Sequence, residues 1–141
     1  MSEMNELVRY LADQTAIGEL TARYNRAFDE GRPEEWAGTF TPDGALAVVD
    51  GPVVEGREAL EAVVRTAEVR LVHVTTNAII TIDGDTARQE LQLLFFAIDG
   101  DASSIALQSS GRYADDLVRT ADGWRFKRRT ATIHIMPPEI T

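Results

Sequence analysis

An α+β domain, with helices packed on one face of an antiparallel sheet, is the fold that this sequence predicts. Three observations predict it. Apolar residues in the first third recur at steps of three and four, the helical period. Residues in the second half alternate between apolar and polar, the strand period. Four Asp-Gly pairs, at 50–51, 83–84, 99–100 and 122–123, punctuate apolar segments, and Asp-Gly tolerates the positive φ of tight hairpins.

The elements follow in order. Ile17, Leu20, Tyr24, Ala27 and Phe28 form one stripe of a first helix, which Gly31 ends. Pro33 suits the first turn of a second, short helix, and Glu34 and Glu35 suit its positive end. That helix carries Trp36 and Phe40. A hairpin of strands near 44–50 and 52–55 comes next, then a third helix, "REALEAVVRTAE", over 57–68. Strands near 70–83, 86–98, 103–119 and 124–136 complete an antiparallel meander. With no repeat, linker or low-complexity segment, residues 1–141 read as a single domain.

Two strands raise questions. In 86–98, Ala87, Leu91, Leu93, Phe95 and Ala97 share one face, and Thr86, Arg88, Glu90 and Gln92 share the other. Leu94 and Phe96 add apolar groups to the polar face, which points to a covering second subunit in a homodimer or trimer. In "RLVHVTTNAII", 70–80, His73 falls on the face opposite Val72, Val74, Ile80 and Ile82. For His73, Ile80 and Ile82 all to face inward, a bulge is needed near Thr75 to Asn77.

Composition narrows the function classes. With 44% apolar and 26% charged residues, the chain is ordinary for a globular protein. No apolar run approaches the ~20 residues that span a membrane, and "MSEMNELVRYL" lacks the layout of a secretion signal. The absence of cysteine excludes disulfides and thiolate chemistry, so a cytoplasmic protein is expected. A net charge of −9 argues against a nucleic-acid partner. The basic run "RFKRR", 125–129, lies in a strand, so its side chains divide between a solvated edge and one inward arginine.

The segments "AIGELTARYNRAFDEGRPEEWAGTFTPDGAL", "GREAL", "HVTTNAIITIDGDTA" and "GRYADDLVRTADGWRFKRR" together resemble the SnoaL-like branch of the nuclear transport factor two-like superfamily. The resemblance covers about residues 12 to 135. It implies a cone, in which a curved antiparallel sheet wraps around a pocket that the long first helix and two shorter helices close on the concave side. The superfamily holds dehydratases, a dehydrochlorinase, ketosteroid isomerases, polyketide cyclases, epoxide hydrolases and non-enzymatic domains, so fold alone does not assign function.

The resemblance is sharpest to the elimination enzymes, bile-acid and scytalone dehydratases among them. It implies Tyr24 as donor to a substrate oxygen, His73 as general base and Asp29 as its orienting partner, with His134 near a basic position of the last strand. Trp36, Phe40, Leu93, Phe95 and Tyr113 read as core or pocket lining, which sequence does not separate. The implied substrate is a hydrophobic small molecule, such as a steroid, terpenoid or polyketide, and the implied chemistry is dehydration after proton abstraction next to a carbonyl. A cyclase or isomerase reading stays open, with Asp29, Asp115 or neither as its acid–base group; Asp50 stands near the isomerases' acid but reads as a turn. A non-enzymatic ligand-binding or association domain also stays open, since strand histidines are commonly structural. No cofactor and no metal are expected, although His73, His134 and Asp29 have the composition of an iron site.

Overall fold

The computed structural model describes residues 2–98, 100–101 and 103–135. Helix α1 runs from Glu3 to Asp29 and begins at Ser2, whose hydroxyl accepts from the Asn5 N–H. Asp13, Ile17, Leu20, Tyr24 and Ala27 are its buried stripe. Helix α2 spans Pro33–Ala37, and strand β1 starts at once, as Phe40–Val48, so Phe40 belongs to the strand and not to the short helix. Strand β2 is Val53–Glu55, and helix α3, Arg57–Arg65, follows Gly56. Strands β3 (Leu71–Asp83), β4 (Thr86–Ile98), β5 (Ile105–Thr120) and β6 (Gly123–Ile135) form the meander. Positive φ occurs at Asp50, Gly84 and Gly123, in three of the four expected turns; Asp99 lies outside the described residues. No helix is long and apolar enough to cross a membrane among the described residues.

The strand order is β2-β1-β6-β5-β4-β3. Each meander contact is antiparallel, but β1 lies parallel to β6, so the sheet is mixed where a purely antiparallel one was expected. The reason is the crossover through α3, which carries the chain to the far edge. The meander then returns with its fourth strand pointing the way β1 points.

Two bulges decide which side chains enter the cone. Between Thr76 and Ile79, β3 carries one residue more than β4, and Asn77 takes φ 56 there. That residue resets the alternation, so His73 and Thr75 share the inner face with Ile80 and Ile82. A second shift, between Asp116 and Leu117 on β5, places both Phe126 and Arg129 of β6 inward. The inner face is then Ala87, Leu91 and Leu93, Tyr113 and Leu117, and Trp124, Phe126 and Ala131, packed against α1. Gly111 is demanded by this curvature, because a Cβ there would lie 2.4 Å from the Thr132 carbonyl oxygen.

One polar joint fastens α1 to the tip of the sheet. The buried Asp13 carboxylate accepts from both terminal nitrogens of Arg119, at 2.7 and 2.8 Å, and from the Trp124 indole N–H at 3.1 Å. The bonds from Arg119 hold the Asp13 carboxyl below its ordinary 3.8, against the opposing effect of burial. A depressed folded value means that this carboxylate's contribution is complete above pH ~4 and lost as pH falls through the folded value. Asp13→Asn is expected to cost about 1–3 kcal/mol near neutrality and to flatten the loss of stability as pH falls below about 4. Urea unfolding of both proteins across that range measures it.

Candidate functional site

The side chain of Asp29 leaves the last residue of α1 and meets His73 on β3. A carboxylate at the negative end of a helix is disfavoured unless donors reach it, and His73 supplies two. Its backbone N–H lies 3.0 and 3.2 Å from the two carboxylate oxygens, and its ring Nδ1 lies 2.6 Å from Oδ1. The acceptor fixes the tautomer: Nδ1 carries the proton and donates it, which leaves Nε2 as a proton acceptor. One turn earlier, Asn25 Nδ2 donates to Thr75 Oγ1 at 3.0 Å, so α1 grips β3 at two rungs beside the bulge. His73 is 8% exposed, with Phe28 and Phe95 each 4.8 Å away by ring centroids and Tyr24 edge-on at 6.3 Å.

The other expected residues divide. Tyr24 stands next to His73 but is enclosed by Trp36, Phe40, Tyr113 and Phe126, at centroid distances of 5.2 to 5.9 Å. Burial raises its phenol above 10.0 and raises that of Tyr113 further, so both stay protonated. Trp36, Phe40, Leu93 and Tyr113 are all buried in the core. Phe95 is half-buried and does line a cleft, of about 430 Å³, together with Val69, Leu71, Ser109 and Ile133. Its ring thus lies against both that cleft and the His73 imidazole. His134 is not brought to the site. It lies opposite Ser110, which lies opposite Leu94, so it is exposed on the outer face of the sheet. A one-residue difference in strand parity separates the two faces.

Deeper in the cone lies a charged cluster. Arg129 donates to both oxygens of Asp115, at 2.7 and 2.8 Å, with both side chains wholly buried. Gln89 Nε2 donates to Asp115 at 2.9 Å and approaches Thr21 Oγ1 at 3.2 Å. The guanidinium sits 3.9 to 4.4 Å from the ring centroids of Tyr24, Tyr113 and Phe126. Burial alone would lower its proton affinity, but the Asp115 charge and hydrogen bonds reverse this and raise it above the ordinary arginine value. This is the inward arginine that strand parity suggested in "RFKRR". Its two bonds, with the one from Gln89, engage both oxygens of Asp115. Among the described residues no three His, Asp or Glu side chains are grouped to hold a metal.

The SnoaL-like domain profile matches residues 9–130. Uncharacterized protein Rv2910c of Mycobacterium tuberculosis is 33% identical over 133 residues, covering 89% of this chain and 88% of that one. An NTF2-like protein with a cystatin-like fold from Novosphingobium aromaticivorans superposes with a TM-score of 0.84 at 25% identity, over 97% of this chain and 90% of its own. A protein from Catenulispora acidiphila, solved in complex with S-DNPA, gives 0.77 at 27% identity, over 87% and 94%.

Proposed function

The chain belongs to the SnoaL-like domain family, and from that premise we propose that it is a cofactor-independent acid–base enzyme acting on an apolar small molecule that carries a carbonyl group. The observation that carries the reading is the 2.6 Å contact between His73 Nδ1 and Asp29. A histidine with its tautomer fixed and an anion behind it is built to accept a proton at Nε2, because the carboxylate stabilises the imidazolium that forms. The base would remove a proton next to the carbonyl. The electron pair left on carbon then expels a β-hydroxyl, which takes the proton back from the His73 imidazolium and leaves as water, in a dehydratase or lyase. In an isomerase or cyclase the pair is instead reprotonated elsewhere by that imidazolium. Substrate would enter by the apolar cleft and displace the Phe95 ring. Tyr24, enclosed by other rings, walls the imidazole. The Catenulispora relative with bound S-DNPA supports a small-molecule ligand. The lack of cysteine suits a reducing cytoplasm.

A second reading is favoured by one observation: aromatic side chains fill the cone around Tyr24. A filled cone suits a ligand-binding or association domain in which the His73–Asp29 contact is structural. A screen of carbonyl-bearing polycycles in D₂O decides between them. Deuterium entering next to the carbonyl, or loss of water, supports the enzyme; binding without exchange or turnover supports the second reading.

We propose also that the outer face of the sheet is a subunit interface. Val74, Leu94, Phe96 and Leu107 form adjoining cross-strand rows there, with Val74 and Leu107 exposed. Light scattering at micromolar concentration is expected to return two or three times the 15.6 kDa chain mass, and a value near 15.6 kDa would count against it.

A further inference from the structure

Four arginines that are scattered in the sequence meet at one cleft on the flank of α1. Arg23 and Arg26 from α1, Arg32 from the turn before α2 and Arg125 from the start of β6 line a cleft of about 420 Å³, together with Glu35. In a chain of net charge −9 with 14 basic residues, this is a local reversal of sign.

The positive charge there is only partly neutralised. Arg32 is paired with Glu30 at 2.5 Å and Glu35 at 2.7 Å, yet its Nε is buried with no partner among the described residues. Arg23 comes no closer than 3.9 Å to Glu19, with both side chains largely in solvent, a contact worth little. Arg125 donates to the Trp124 carbonyl at 2.7 Å and has no ion pair among the described residues. Arg26 has no ion pair among the described residues. Glu30 and Glu35 are taken up by Arg32, so Arg23, Arg26 and Arg125 repel one another across the concavity, and a concave wall concentrates their field.

We infer that this cleft binds a phosphate group, free or carried on a small molecule. Guanidinium groups match tetrahedral oxyanions through paired N–H···O bonds. A phosphate offers about two charges and three or more acceptor oxygens at neutral pH, which suits Arg23, Arg26 and Arg125, whereas a carboxylate offers one charge and two oxygens. A long polyanion is excluded by the acidity of the rest of the surface. His73 and Asp29 are not in the lining, so the inference stands apart from the acid–base reading.

Inorganic phosphate titrated into the full chain at low ionic strength, followed by amide chemical shifts and calorimetry, tests it. Saturable binding is expected, with shifts centred on Arg26, Gly38 and Thr39. The Arg26→Gln/Arg125→Gln double variant should bind at least about tenfold more weakly, ~1.4 kcal/mol. Arg128→Gln, an exposed position elsewhere on β6, should bind as the parent does. Acetate at matched ionic strength should bind at least about tenfold more weakly than phosphate. Arg26→Gln alone, at an exposed helix position, keeps the test valid should the double variant fold poorly. No saturation, undiminished binding in Arg26→Gln and the double variant, or acetate equal to phosphate would each overturn the inference.

Discussion

His73→Gln is expected to remain folded and to lose turnover by about 10²–10⁴, the usual worth of a positioned general base. Glutamine keeps a donor toward Asp29, so the joint between α1 and β3 survives, but it has no basic nitrogen at the place of Nε2. Asp29→Asn should lose activity for a different reason: a neutral amide stabilises the imidazolium poorly and can reverse the tautomer. Because the two residues act as one unit, the double variant should be no slower than the worse single. Turnover on whichever substrate the screen yields, with thermal unfolding of each variant, measures this. Near-normal turnover in His73→Gln removes the base assignment. A large fall in unfolding temperature with no change in turnover makes the contact structural.

Asp115→Ala is expected to cost about 3–5 kcal/mol of unfolding free energy, because it leaves a buried guanidinium unpaired. Arg129 has no escape. Three aromatic rings surround it, both its own side chain and that of Asp115 are sealed from water, and its proton is held above the ordinary arginine value. Against a typical total of about 5–15 kcal/mol, such a loss removes much of the margin. Replacing both partners, as Asp115→Leu with Arg129→Met, should recover most of it, since an apolar pair leaves no charge behind. Urea unfolding of the three proteins tests both statements, and a loss below about 1 kcal/mol in Asp115→Ala would show water or another acceptor reaching the guanidinium.

What the sequence made legible depended on whether the signal was local. The parity conflict between His73 and Ile80 foretold a bulge, and Asn77 carries it. The same parity rule foretold one inward arginine in "RFKRR" and left open which one, because the extra residue in β6 near Lys127 is invisible in an unbroken basic run. The parallel meeting of β1 and β6 was illegible: nothing local to either strand records which distant strand lies beside it. His134 was misplaced for a simpler reason, a shift of one residue in a strand of period two. The arginine cleft is assembled from three separate segments, and no window of sequence contains it.

The bulge in β3 also bears on how such a site is gained and lost. His73 shares the inner face with Ile80 and Ile82 because one residue is inserted between it and the hairpin. In a relative lacking a residue at Asn77, the same histidine, in the same local sequence, would point to the outer face. A lineage can therefore acquire or discard this inner histidine through a single codon insertion or deletion several positions away. Comparisons that score only which amino acid stands at the histidine column would miss the event, whereas a one-residue gap in the loop-free middle of this strand would be its trace.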